Sequence, residues 1–298
     1  MEAPFKERVF ISGIDGFSGV HLEREMIKHG FTVFGSTFSG PTKKNHFKCN
    51  ILNKNELRTI LNQVKPDYLI HLAAISFVAS ENIPLMYETN ILGTLNILDV
   101  LIEQKIKVKK IIVASSAAVY GKIGNELSEE MPPKPINHYG NSKLAMENMV
   151  SNYFDKFNII ITRPFNYTGV GQESHFLVPK IISHFKTKKA VIELGNLDTF
   201  REYNDVRFVS QTYINLLDST FKSGVVNISS GKTHSISEIL HAMERITSHS
   251  IEVKVNEKFV RKNEIKELKG STSKLKTIIN KEIISISLKD TLKEMYLN

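Results

Sequence analysis

A chain of 298 residues, 41% apolar and 23% charged, can bury a full core, which excludes fibrous and disordered classes. Its net charge of +8 comes from scattered lysines with no nucleic-acid motif, so a solvated basic surface and an anionic small substrate are expected, and no nucleic acid. A single cysteine, Cys49, excludes an internal disulfide framework and reads as a small core hydrophobe in a reducing compartment.

The ten histidines lack partners at metal-ligand spacing, so no metal is expected. No run of 18 apolar residues and no basic-then-apolar leader occurs; the expectation is a cytoplasmic protein without a membrane span.

Val9-Phe10-Ile11 reads as a strand running into G-I-D-G-F-S-G, then an amphipathic helix with Val20, Leu22, Met26 and Ile27 that ends at Gly30. This order lets the backbone approach a pyrophosphate, whose charge the helix amides and dipole then meet. Gly13, Asp15, Gly16, Phe17 and Gly19 are therefore candidate dinucleotide contacts. Phe31 to Thr37 predicts a second strand without the acidic residue that would hold a free ribose hydroxyl. Ser36, Thr37 and Ser39, followed by Lys43 and Lys44, suit a 2′-phosphate instead, so NADP(H) is expected over NAD(H). After a short strand at His46 to Cys49 come Asn50 and Ile51, with Asn50 either meeting the adenine ring or serving as a turn asparagine.

Asn53 to Val64 predicts a helix, and P-D-Y-L-I-H-L-A-A a fourth strand that leaves Leu72, Ala73 and Ala74 along the cofactor. His71 reads as a packed histidine. Pro84 to Gln104 predicts one long helix carrying Asn90, and Val108 to Ser115 a fifth strand that puts Ser116 at the sheet's carboxyl edge, where ligands bind. Gly140 to Phe157 predicts an amphipathic helix at whose start Tyr139 and Lys143, four apart, share a face. The ammonium is expected to lower the phenol pKa while the serine orients the moving proton, making Ser116, Tyr139 and Lys143 an acid/base set for a carbonyl–alcohol pair.

Asn158 to Thr162 is the sixth strand, and the alternation throughout predicts an α/β doubly wound parallel sheet. R-P-F-N-Y-T-G-V-G-Q opens the substrate side, with Pro164 toward the cofactor and Asn166 toward the substrate. Phe176 to Phe185 predicts a helix, Ala190 to Leu194 a strand, F-R-E-Y-N-D-V-R the lead into another helix, and Val225 to Ile228 a strand returning to the sheet. From Ser235 follow a helix, a strand at Ile251 to Val255, a polar stretch from Arg261 to Ser273, and one closing helix. Residues 1–165 with about 205–230 are expected to form the dinucleotide-binding Rossmann domain, and 166–204 with 231–298 a smaller C-terminal substrate-binding lobe.

With these segments in view, the whole chain resembles the extended short-chain dehydrogenase/reductase family, the NAD-dependent epimerase/dehydratases, in its nucleotide-sugar branch. Gly13, Gly16 and Gly19 resemble its G-x-x-G-x-x-G loop, Ser116 in V-A-S-S-A-A-V-Y-G its catalytic serine or threonine, Tyr139 and Lys143 its Y-x-x-x-K, and Asn90 its structural asparagine. Arg201 in F-R-E-Y-N-D-V-R, and Arg261 with Glu264 in V-R-K-N-E, resemble residues that hold the diphosphate and nucleoside ribose; Phe176 and Val178 are expected near the base. R-P-F-N-Y-T-G-V-G-Q and L-G-N-L-D-T-F-R-E-Y-N-D-V-R look most like the GDP-4-keto-6-deoxy-D-mannose reductases.

The resemblance implies NADPH-dependent reduction of a 4-keto-6-deoxy nucleotide sugar, with Tyr139 giving the proton, Ser116 bonding the oxygen and Lys143 on the nicotinamide ribose. Ala117 and Ala118 stand where 4,6-dehydratases need a carboxyl pair, against elimination. An NAD-retaining 4-epimerase would use the same trio, and a non-catalytic NADP-binding protein would not need it. A homodimer is expected through helices presenting Leu95, Leu98 and Ile102, and Met146, Met149 and Val150.

Overall fold

The structure, a computed structural model, describes residues 6–41, 43–76, 81–259, 265–282 and 284–298. In its first half, β1 (Arg8–Ser12), α1 (Phe17–Lys28), β2 (Thr32–Thr37), β3 (His46–Lys48), α2 (Lys54–Val64) and β4 (Tyr68–His71) alternate as the sequence predicts. The expected long helix is instead α3 (Ile83–Tyr87), a π-helical stretch over Glu88–Gly93, and α4 (Thr94–Glu103). Then come β5 (Lys110–Ala114), a 3-10 turn at Ala117–Tyr120, β6 (Asn125–Leu127), α5 (His138–Ser151), β7 (Ile159–Pro164) and β8 (Tyr167–Thr168).

The remaining elements are α6 (Leu177–Lys186), β9 (Val191–Leu194), β10 (Phe200–Glu202), β11 (Asn204–Asp205), α7 (Val206–Asp218) and β12 (Gly224–Ile228). β13 (Thr233–His234), α8 (Ile236–Thr247), β14 (Glu252–Val255), β15 (Glu267–Gly270), α9 (Ser273–Ile279) and α10 (Leu288–Leu297) complete the chain.

Seven strands form one parallel sheet in the order β12-β7-β5-β4-β1-β2-β3, a Rossmann-type arrangement. The uninterrupted apolar run of β1 follows from burial on both faces: Val9 and Ile11 pack toward Leu22 and Met26 of α1, Phe10 toward Leu57 and Leu61 of α2. Successive elements run from β1 to β2 on one side and to β4 on the other, which opens a crevice at the carboxyl ends of β1 and β4. A second sheet, β13-β10-β15-β6, and the pair β14-β9 belong to the smaller lobe, whose core gathers Ile181, Phe185, Ile239, Met243 and Leu292.

Several boundaries differ from expectation. α5 ends at Ser151, and the chain turns so that Tyr153, Phe154 and Phe157 pack back on the core. The polar stretch contains β15, whose E-L-K-G sequence lacks apolar alternation and is held by its pairing with β10 and β6. Two helices, α9 and α10, close the chain; Leu275 and Ile279 of α9 pack into the large sheet's core. Of the six residues expected to face a second copy, Leu98, Met146 and Val150 are buried in their own core, and Ile102 and Met149 are exposed. Among the described residues no helix is long and apolar enough to cross a membrane.

Candidate active site

The glycine turn is dictated by close packing. Gly13 has φ +73°, and a Cβ there would stand 2.9 Å from the backbone N of Ala73; one at Gly19 would stand 2.4 Å from the Gly13 carbonyl. The Gly13 and Ile14 amides donate to the Ser36 carbonyl at 2.9 and 3.1 Å, so β2 anchors the turn. No side chain caps the N-terminus of α1, and no acidic residue sits in its first turn. An uncapped helix start pressed to the sheet edge by two glycines fits the pyrophosphate of a dinucleotide.

Phe17 opens α1 and stacks on Tyr167 with centroids 5.9 Å apart, and Ser18 Oγ lies 2.7 Å from the Tyr167 hydroxyl. Sequence reasoning did not single out Tyr167. The opposite wall is the segment after β4, where the Leu72 amide donates to the Ser12 carbonyl at 3.1 Å and the Ala73 amide to Ser12 Oγ at 3.4 Å, with half-buried Ala74 next. Asn90, on the π-helical stretch, accepts from the Ile75 amide at 2.8 Å and donates to the Ile75 carbonyl and Ser142 Oγ. It ties this wall to α5, a structural role.

His71 is packed, as read: its Nδ1 lies 2.6 Å from Ser12 Oγ and its Nε2 2.8 Å from Thr94 Oγ1. Burial, and then the Lys143 charge, take its pKa down to about 3.

On the adenosine side, Thr37 Oγ1 is spent on Gly40, and Asn50 Oδ1 accepts from the Leu52 amide at 3.0 Å, a turn contact. Ile51 is buried, its side chain pressed against Gly93. Ser39 Oγ donates to Asp15 at 3.1 Å. Lys43, expected to face a 2′-phosphate, is paired with Glu23, which also holds His46 Nε2 at 2.8 Å. Burial raises the Glu23 pKa, but Lys43 and His46 outweigh it and keep the carboxylate below its ordinary value. Lys44 is exposed.

The candidate reacting groups meet where β5 ends against α5. Asn137 caps α5, its Oδ1 accepting the Gly140 amide at 2.8 Å, so the helix begins at His138, before the predicted Gly140, and carries Tyr139 in its first turn. Ser116 caps the following 3-10 turn, its Oγ accepting the Ala118 amide at 3.1 Å, and its hydroxyl is a hydrogen-bonding neighbour of the Tyr139 phenol. Lys143 Nζ donates to the Ala114 carbonyl at 2.7 Å.

The expected lowering of the phenol pKa is corrected here. Burial pushes Tyr139 up to about 12, offset in part by Ser116, while burial takes Lys143 down to about 8 against the opposing pull of Glu147. At neutral pH the phenol is a protonated donor and the lysine an ammonium near its titration range.

On the substrate side, Pro164 ends β7, and exposed Asn166 accepts the Asn204 amide on its carbonyl at 2.9 Å. Phe176 is partly exposed at the start of α6, its ring 4.2 Å from that of His175. Val178, expected at the base, is buried in the lobe core, because the first turn of α6 points it at Ile181 and its neighbours. Arg201 donates to the Phe200 and Ile265 carbonyls at 2.7 and 3.0 Å. Arg261 and Glu264 lie outside the described residues.

Four buried carboxylates escaped sequence reasoning: Glu23 and Asp205, and, nearer the reacting groups and Arg201, Glu147, four residues beyond Lys143, and Glu202 in β10. Of these last two, the first had a signal in its helical spacing; the second had none. No group of three or more histidine, cysteine or acidic side chains among the described residues could hold a metal.

A glycine turn at the sheet's crevice, with serine, tyrosine and lysine at the ends of β5 and α5, defines a dinucleotide-dependent enzyme of the short-chain dehydrogenase/reductase class. The family model described as GDP-mannose 4,6 dehydratase matches residues 10–295, and the chain belongs to this NAD(P)-dependent epimerase/dehydratase family, the extended short-chain dehydrogenase/reductases. It is 34% identical over 295 residues to GDP-6-deoxy-D-talose 4-dehydrogenase of Aggregatibacter actinomycetemcomitans, covering 98% of this chain and 97% of that one. It is 27% identical over 281 residues to GDP-6-deoxy-D-mannose reductase of Pseudomonas aeruginosa, covering 90% of each.

Among solved structures, a candidate epimerase from Burkholderia cenocepacia matches with a TM-score of 0.92 at 33% identity, covering 97% of each chain. RMD from Pseudomonas aeruginosa, complexed with NADPH, matches at 0.87 and 25%, covering 98% and 97%. A UDP-glucuronic acid 4-epimerase from Bacillus cereus, in complex with NAD, matches at 0.85 and 25%, covering 97% and 98%.

Proposed function

We propose that the chain interconverts a ketone and an alcohol at C4 of a nucleotide-linked 6-deoxyhexose, with GDP as the carrier and reduction as the net reaction. The observation that carries this reading is Tyr139 beside Ser116, with Lys143 on the Ala114 carbonyl and with Ala117 and Ala118 following Ser116 where elimination would require carboxyls. The nicotinamide cofactor supplies the hydride. Tyr139 gives its proton to the C4 oxygen, and Ser116 hydrogen-bonds that oxygen so that the developing charge meets two donors. Lys143 stays charged beside the phenol and eases loss of its proton. Gly13, Gly16 and the amides opening α1 hold the cofactor's pyrophosphate, and Arg201 meets the substrate diphosphate. The two GDP-sugar relatives, a 4-dehydrogenase and a reductase, support both the carrier and the position.

A second reading, 4-epimerisation with NAD retained, uses the same three side chains and draws support from two of the matched structures. Lys43, placed to favour a 2′-phosphate and NADP, has its charge met by Glu23, which favours this reading. One experiment decides: the protein with NADPH or NADH and a panel of GDP- and UDP-linked 4-keto-6-deoxy sugars, following loss of reduced cofactor, in parallel with the 4-hydroxy sugars and no reductant. Stoichiometric consumption with a GDP-linked keto sugar is expected. Inversion at C4 without added reductant would establish the epimerase, and neither result would leave a cofactor-binding protein without turnover.

A further inference from the structure

Three turns of α5 grip three consecutive residues at the end of β5. Tyr139 neighbours Ser116, Lys143 donates to the Ala114 carbonyl, and Glu147 accepts from Ser115 Oγ at 2.5 Å. The spacing of four keeps the helical side chains on one face, toward the residues that follow β5. Glu147 is also held by Arg163 of β7, with Nε at 2.9 Å from Oε1 and Nη2 at 2.6 Å from Oε2; both residues are 4% exposed. The Arg163 guanidinium lies 4.8 Å over the Tyr120 ring, whose hydroxyl donates to Asn227 Oδ1 on β12 at 2.7 Å. A carboxylate thus clamps α5, β5 and β7 beneath the reacting groups.

We infer that Glu147 is a positioning residue for the C4 chemistry: fixed by Arg163 and bonded to Ser115, it sets the end of β5 against α5 so that Ser116, Tyr139 and Lys143 meet. Its charge acts on the same set. Glu147 on the same helix acts on Lys143, and neutral His71 of β4 feels its charge, with Arg163 of β7 behind Glu147; Tyr139 lies one turn before Lys143 on α5, while Thr94 is bonded to His71 and Asn90 to Ser142, both uncharged. Asp99 of α4 is engaged farther along with Lys54 and Tyr153. Glu147 is therefore the anion that keeps a buried Lys143 protonated at neutral pH.

The kinetic arm of the test rests on the proposed C4 reaction; the titration arm does not. In Glu147→Gln, the Lys143 midpoint, followed by lysine-selective 13Cε NMR and assigned with Lys143→Met, is expected to move down by about one pH unit. The alkaline limb of kcat moves with it. Ser115→Ala keeps the ion pair; kcat is expected to fall about tenfold, with KM near the parent, Tm lowered by a few degrees and the Lys143 titration unmoved.

If Glu147→Gln does not fold, Glu147→Gln with Arg163→Gln removes both charges, and because losing the cation opposes losing the anion, the Lys143 midpoint is expected to move down by a smaller amount. An unmoved Lys143 titration in the Glu147 variants, or a parental kcat in Ser115→Ala, overturns the inference. A shifted titration in a protein that turns over no nucleotide sugar would support the role of Glu147 and sink the proposed substrate instead.

Discussion

The large sheet and the smaller lobe each hold a buried carboxylate, and the two are satisfied in different ways. Glu147, on the sheet side, pairs with a cation and one hydroxyl. Glu202, on the lobe side, accepts from four uncharged donors: Asn204 Nδ2 at 2.8 Å, Ser229 Oγ at 2.6 Å, the Ser230 amide at 2.9 Å and the Gly270 amide at 2.7 Å. The sheet-side carboxylate sits on a regular helix, at a fixed spacing from the residues it serves. The lobe-side one gathers short strands from distant parts of the chain, so that β10, carrying Arg201, is aimed by contacts up to 68 residues away. On the proposed function, the sheet side serves the chemistry and the lobe side the binding, a division that variants can separate.

The largest expected effect is on the sheet side. Tyr139→Phe should lower kcat by on the order of 10² or more while cofactor affinity, read by fluorescence titration, stays near the parent. A variant with near-parental turnover would remove Tyr139 from the mechanism. Glu202→Gln comes next: replacing one acceptor oxygen by an amide that points at buried donors should cost about 3 kcal/mol in urea unfolding and raise KM more than it lowers kcat. Equal loss of kcat and KM in that variant would blur the division between the two sides.

Arg201→Ala should raise KM about tenfold, with kcat within about twofold, if its guanidinium meets the diphosphate. An unchanged KM would leave it with the two carbonyls it already holds.

The smallest effect at neutral pH concerns His71. Its folded pKa is about 3 against an ordinary 6.5, so below pH 6.5 the unfolded chain takes up a proton that the folded chain refuses. That stability is present above pH 6.5 and is lost as pH falls toward 3. In His71→Asn the acid side of the stability profile should flatten by up to about 1.4 kcal/mol per pH unit, measured by urea melts from pH 7 to 4. An identical slope in parent and variant would show that other groups govern acid unfolding.

The sequence was most legible where function follows local pattern. The strand running into glycines, the fifth strand ending in serines, and the tyrosine and lysine four apart were all visible, because periodicity and turn chemistry act over a few residues. β6 and β15 were not: N-E-L and E-L-K-G have no alternation to read, and only their pairing to each other and to β10 makes them strands. The continuous apolar pattern from Pro84 onward predicted one helix, and it does run on, but with a π-helical stretch at Asn90 that its side-chain bonds to Ile75 and Ser142 accompany.

By itself, the sequence determined the strand and helix alternation of the large sheet, the glycine turn and the candidate reacting side chains, since each depends on neighbours within one or two turns of chain. Tertiary structure alone decided that Lys43 is bound to Glu23, that Val178 belongs to the lobe core, and that the Tyr139 phenol is raised and not lowered. Those outcomes depend on burial and on partners brought from elsewhere in the fold. A charge in a sequence carries no record of which opposite charge will reach it, or of how much water will remain around it.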